Sequence, residues 1–227
     1  MCGRFTLGAT AADLARQFDL ATIPAWTPRY NIAPSQAVPA VIQIRETAAR
    51  ESRPFRWGLV PSWAKDPTIG NRMINARSET AATKPTFRKS FRERRCLILA
   101  DGFYEWKREG SRKQPFYIKL RDGEPFAFAG LWDHWHPSDG QPLETCTILT
   151  TAPNAVLQPI HDRMPVILPP TAYSVWLDPA MRDVESVQAL LTPYSGEGMI
   201  AYPVSTRVNR PANDSPDLVE SLPFMRR

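Results

Sequence analysis

Cys2 directly follows the first methionine. Both Cys2 and Gly3 are small, so removal of Met1 by an aminopeptidase is expected to leave Cys2 at the N-terminus. An N-terminal cysteine carries an α-amine with a pKa of about 7.7–8.0 beside a thiol near about 8.5, and both are partly nucleophilic at neutral pH. The amine can attack an aldehyde to give an imine, on which the thiolate closes as a five-membered thiazolidine. Alternatively, the thiol can attack an acyl carbon with the amine as its base. A cysteine near a terminus can equally be a small buried hydrophobe.

Other positions offer proton transfer and anion binding. Glu105 stands between aromatics in Phe103-Tyr104-Glu105-Trp106, where desolvation would raise its pKa and suit it to acid/base work; as part of an alternating strand it could instead face solvent. His161 lies in Pro159-Ile160-His161-Asp162-Arg163-Met164-Pro165, a turn bracketed by prolines, where Asp162 and Arg163 could tune it or contact a phosphate; a plain surface string is the competing reading. Asn75 and Arg77, two apart, share a face if extended: an amide to orient a substrate oxygen and a guanidinium to grip a phosphate. Trp63, in a proline-flanked loop, is either a stacking wedge or a loop anchor. His134 and His136 flank Trp135 without a nearby third ligand and read as exposed loop residues, so no metal site is expected, nor any cofactor. Cys96 and Cys146 lie in apolar stretches and read as inert core, and three cysteines at unrelated spacings make neither a zinc site nor a disulfide framework.

The chain has 28 basic and 23 acidic residues, a net charge of +5, which fits a polyanionic partner. Arg88, Lys89, Arg92, Arg94 and Arg95 crowd one segment and Lys107, Arg108, Arg112 and Lys113 the next; each cluster reads as a phosphate-binding surface or a solvated face.

The elements that must position these groups are short. Thr10 and Asp13 mark an N-cap ahead of a helix over about 11–19 with Leu14 and Phe18 on one face. Residues 29–34 read as a fixed loop among prolines, and Val38–Arg45 with Pro54–Val60 as a hairpin. A helix over about 84–93 precedes a buried strand, Cys96–Ala100. Pro115–Arg121 and Ala127–Trp132 read as a second hairpin turning at Asp122-Gly123. Short helices over about 171–178 and 183–192 and a strand near Met199–Ser205 lead to a tail, from about 207, expected to be irregular and superficial. No linker, repeat or low-complexity segment divides the 227 residues, so one domain is expected. The apolar runs are strand-sized and too short to span a bilayer, and the start MCGRFTLGAT has no apolar core of a signal peptide. A cytoplasmic location follows as an expectation.

Met1-Cys2-Gly3-Arg4-Phe5, Arg29-Tyr30-Asn31-Ile32-Ala33-Pro34, Trp57-Gly58-Leu59, Ile74 to Thr80, Asp101 to Trp106 and Ile160 to Pro165 occur in order along nearly the whole chain. Together they resemble the SRAP family, the SOS-response-associated peptidases. The resemblance implies a single α/β (α+β) domain around a largely antiparallel, barrel-like sheet with flanking short helices and a positively charged groove. It implies a protein that recognises abasic sites in single-stranded DNA and crosslinks to them through its N-terminal cysteine; a monomer is expected. By this resemblance Cys2 is the nucleophile, Asn75 orients the abasic sugar, and Glu105 and His161 are the acid/base groups. Arg4, Arg77 and Arg163 match phosphate-contacting positions and Trp63 a base-stacking wedge, although Ala64 stands where some members carry a second bulky aromatic. Two other functions compete: an N-terminal-nucleophile cysteine peptidase or amidohydrolase with Asn75 in the oxyanion hole and His161 as base, and a noncovalent single-strand DNA-binding module.

Overall fold

The computed structural model describes residues 2–22, 25–137 and 140–223. The chain opens with β1 (Phe5–Leu7) and α1 (Ala11–Phe18), where the Thr10 hydroxyl accepts the Asp13 N–H and Leu14 and Phe18 are buried, as the sequence predicts. β2 (Arg29–Ile32), β3 (Ala37–Gln43) and β4 (Arg50–Trp57) follow, then β5 (Asn75–Arg77), α2 (Ser78–Ala81) and α3 (Arg88–Glu93). β6 (Arg95–Ala100), β7 (Gly102–Glu109), β8 (Arg112–Leu120), β9 (Phe126–Trp135) and β10 (Leu143–Thr151) make up most of the sheet. β11 (Met164–Pro165), β12 (Ile167–Leu168), α4 (Tyr173–Leu177), α5 (Val184–Ala189) and β13 (Met199–Pro203) complete the fold.

β10, β4, β3, β6 and β9 pair in a ring that returns to β10, a closed five-stranded barrel in which only the β4–β10 pairing is parallel. Closure leaves these strands no open edge within the ring. A second sheet, in the order β13-β8-β7-β1-β2, packs against it through Phe5, whose ring meets Trp57 and Phe128 at centroid distances of 5.2 and 5.7 Å. The result is the mixed, largely antiparallel, barrel-like domain that the resemblance implies.

Five sequence expectations change. Residues 29–32 form β2, paired antiparallel with β1, rather than a loop; the prolines bracket an edge strand instead of preventing one. β8 and β9 belong to different sheets and form no hairpin. The Asp122-Gly123 turn is real, with Gly123 at φ 77°, but it carries the chain from one sheet to the other, while β8 forms its hairpin with β7 across Gly110-Ser111. The basic helix is confined to α3, and His134 lies within β9. The tail has two short 3-10 turns and is anchored: Val208 and Leu218 are fully buried, and Asn31 Nδ2 donates to the carbonyls of Val208, Arg210 and Asn213.

Candidate functional site

The antiparallel β1–β7 ladder pairs Phe5 with Phe103 and Thr6 with Gly102, and the Tyr104 N–H donates to the Arg4 carbonyl at 2.9 Å, so the ladder continues toward the N-terminus and sets Glu105 beside Cys2. The ladder needs a glycine at 102, because a Cβ there would lie 2.1 Å from the Tyr117 hydroxyl. On the other side, β5 runs parallel to β10, with Asn75 opposite Ile148 and Arg77 opposite Thr150. β11 pairs with the same end of β10, Pro165 opposite Thr150, and so docks the turn that carries His161.

Cys2, Asn75, Glu105 and His161, spread over the chain, converge here. Asn75 Nδ2 donates to the Cys2 carbonyl at 2.7 Å, while Asn75 Oδ1 is buried with no hydrogen-bond partner among the described residues. A buried acceptor left this way costs free energy that a substrate hydroxyl or amine can recover. Glu105 is 2% exposed, which excludes the solvent-facing reading, and burial raises its carboxyl to about 7, with Asp162 adding to the effect. Its Oε2 lies 3.9 Å from His161 Nε2.

His161 Nδ1 accepts the Arg163 N–H at 3.0 Å and also lies 2.9 Å from Asp162 Oδ1. The two contacts ask for opposite protonation of Nδ1. The backbone bond is set by the turn itself, whereas Asp162 is largely exposed and screened, so the neutral ring carries its proton on Nε2, toward Glu105. Burial lowers the His161 pKa, which keeps the imidazole neutral near pH 7.

The Cys2 thiol has the burial that the reading as a small buried hydrophobe foresaw. It is fully buried, and burial, reinforced by the Glu105 carboxylate, pushes it well above the ordinary thiol range. The group at Cys2 is therefore a protonated thiol at neutral pH, and Glu105 is the carboxylate that acts on it electrostatically.

Glu105 and His161, with Trp106, Lys113 and Asn209, line a cleft of about 430 Å³. Trp106 Nε1 donates to Asn209 Oδ1 at 2.8 Å, so the anchored tail forms one wall. Asn209 had no signal in the sequence, while Trp106 stood inside a recognised block.

The cationic positions divide. Arg77 is exposed on β5, and Ala76 between it and Asn75 is buried, as an extended segment with Asn75 and Arg77 on one side requires. Arg4 is half-buried, with Nη1 donating to Asn31 Oδ1 and to the Val208 carbonyl, both at 2.9 Å. Arg163 is held by Glu79 and the Thr150 carbonyl. Of the first basic cluster, Arg94 forms an ion pair with buried Asp133, and Arg95 is buried, donating to the carbonyls of Phe91, Trp176 and Asp178; burial pulls its guanidinium down to about 10. Those two arginines are structural and are subtracted from any anion surface.

Trp63 is 61% exposed, which excludes the anchor reading. It lines its own cleft of about 520 Å³ with Lys65 and Arg72. The loop is held from beneath: Asp133 Oδ2 accepts the Ser62 N–H at 3.0 Å and Trp135 Nε1 donates to the Ala64 carbonyl at 2.6 Å. No group of three or more metal-ligating side chains occurs among the described residues.

The family described as SOS response associated peptidase (SRAP) matches residues 1–211. The chain is 48% identical over 225 residues to the Abasic site processing protein YoqW of Bacillus subtilis (strain 168), covering 97% of this chain and 100% of that one. It is 32% identical over 226 residues to the Abasic site processing protein HMCES of Xenopus tropicalis, covering 87% of this chain and 67% of that one. A crystal structure of a protein from Bacteroides thetaiotaomicron matches with a TM-score of 0.88 at 28% identity, over 97% of this chain and 100% of that one.

Proposed function

Since this chain belongs to the SOS response associated peptidase (SRAP) family, we propose that it processes abasic sites in single-stranded DNA and joins them covalently through Cys2 once Met1 is removed. The observation that carries the reading is the placing of Glu105, raised to about 7, between the Cys2 thiol and His161 Nε2.

An abasic deoxyribose is mostly a closed hemiacetal, so ring opening comes first. His161 donates its Nε2 proton to the ring oxygen as the C1 hydroxyl proton is lost, which frees the aldehyde. The Cys2 amine then forms a C–N bond to C1, and the carbonyl oxygen leaves as water, protonated by Glu105. One amine proton leaves with that water and the other stays on nitrogen, so the resulting iminium receives the thiol: a C–S bond forms and Glu105, deprotonated in the step before, takes the S–H proton. The thiazolidine uses both nucleophiles and removes the imine through which the strand would undergo β-elimination. Asn75 Oδ1 is placed to accept from a sugar hydroxyl or from the reacting amine. Arg77 and the exposed face of Trp63 supply phosphate and base contacts. The chain acts as a DNA-modifying enzyme in this reading, in the cytoplasm and as a monomer.

A cysteine peptidase would turn the same thiol on an acyl carbon; the relatives described as abasic site processing proteins support the abasic-site route instead. Intact mass of the protein, before and after incubation with an abasic oligonucleotide, tests the reading. The expected product has lost Met1 and gained the oligonucleotide minus one water, in a form that survives denaturation. Cys2→Ser should bind single-stranded DNA and form no such ring. An equally heat-stable adduct with that variant, or active protein that retains Met1, would overturn the mechanism.

A further inference from the structure

Arg163 places its whole fork on Glu79: Nη1 donates to Oε1 at 2.6 Å and Nη2 to Oε2 at 2.9 Å, while Nη2 also donates to the Thr150 carbonyl. The two partners sit on different pieces of the site. Glu79 belongs to α2, which begins directly after the strand that carries Asn75. Arg163 lies two residues beyond His161, and its own N–H donates to His161 Nδ1 at 3.0 Å. A circuit of contacts therefore runs from the Asn75 segment through Glu79 and Arg163 to the imidazole. Thr150, opposite both Arg77 and Pro165, closes it from below.

As a source of stability the pair is modest, because Glu79 is 51% exposed and such ion pairs are well screened. Its geometry is worth more. A bidentate fork fixes distance and plane together, which a single contact does not. The turn it holds decides whether Nε2–H points at Glu105, and proton transfer is sensitive to displacements of about 1 Å.

We infer that Glu79 is a positioning residue of this site, gripping Arg163 so that the 159–165 turn keeps His161 facing Glu105. This rests on the abasic-site reading for its kinetic readout. A different role is open to the same contact: Glu79 could stand in for a DNA phosphate on Arg163, to be displaced on binding.

The test compares Met1-free wild type with Glu79→Ala and Glu79→Gln. Three quantities are read: the single-turnover crosslinking rate at saturating abasic single-stranded DNA, affinity for the intact strand, and titration of the His161 ring proton by NMR, in a chain with three histidines. The expected result is a rate lower by about 10-fold in Glu79→Ala and by less in Glu79→Gln, with affinity within about twofold. The His161 titration, which faces Glu105 and Asp162, should move up toward the ordinary imidazole range as the loosened ring gains solvent. An unchanged rate with an unchanged titration overturns the inference. So does tighter DNA binding at an unchanged rate, which makes Glu79 the phosphate stand-in. If the wild type yields no denaturation-stable adduct, the abasic-site reading fails instead, and the His161 titration still reports on the clasp.

Discussion

Asp101, at the bend between β6 and β7, and Glu105, within β7, are carboxylates four residues apart. Glu105 is buried and Asp101 partly so, and both are raised above the ordinary carboxyl range first of all by burial. Their surroundings separate them. Asp101 accepts from Thr6 Oγ1 and the Gly8 N–H, both at 2.5 Å, and from the Ala9 N–H at 3.0 Å, and these donors hold it as an anion that ties down the far end of the N-terminal stretch. Glu105, at the near end of the same ladder, meets two groups that exchange protons, the Cys2 thiol and His161. Burial alone therefore identifies neither role. A carboxylate surrounded by fixed donors is a structural acceptor, and one placed between proton-exchanging groups is a candidate catalyst.

Three changes sharpen or break this contrast. Glu105→Gln should have the largest effect, slowing single-turnover crosslinking by about 10²–10⁴-fold with single-strand affinity retained. A rate near that of wild type would reduce Glu105 to a buried residue of the same kind as Asp101. Asp101→Ala should instead cost stability, about 2–4 kcal/mol by urea denaturation, because the Gly8 and Ala9 N–H groups lose their acceptor. Asp101→Asn, which keeps one acceptor oxygen, should cost under about 1 kcal/mol. A crosslinking defect in Asp101→Asn larger than its stability loss would erase the distinction.

The contrast also predicts a pH dependence of stability. Glu105 is raised in the folded state to about 7, so its protonated form favours folding. That contribution is fully present below the ordinary carboxyl range and is lost as pH rises through about 7. Glu105→Gln should thus match wild type near pH 4 and exceed it at pH 8 by on the order of 1–3 kcal/mol. Equal denaturation midpoints for the two proteins at pH 8 would show that the carboxylate is not desolvated as described.

Local pattern was sufficient wherever neighbours in sequence decide structure. Thr10 and Asp13 marked the α1 cap because the capping bond spans three residues, and the apolar run at 96–100 marked β6 because every side chain in it is buried. The β3–β4 hairpin was legible for the same reason, although β4 starts at Arg50 and ends at Trp57, just before Gly58, whose φ of 124° and close approach to the Gly70 carbonyl stop the strand. The candidate site was legible as a set of ordered blocks, which named Cys2, Asn75, Glu105 and His161 without placing them.

What the sequence determined by itself was residue chemistry and short-range conformation: a cysteine beside the first methionine, a carboxylate among aromatics, a histidine in a proline-bracketed turn, and strands of the right length. Only the tertiary structure decided which strands became partners, so that β9 closed a barrel with β10 instead of turning back on β8. It also decided that Arg94 and Arg95 point inward, that Trp63 faces out, and that the Cys2 thiol is buried against Glu105. The physical reason is range. Capping and side-chain alternation act over a few residues, whereas strand pairing and desolvation are set by groups distant in the chain, and the proton affinities of Cys2, Glu105 and His161 come from desolvation and from one another.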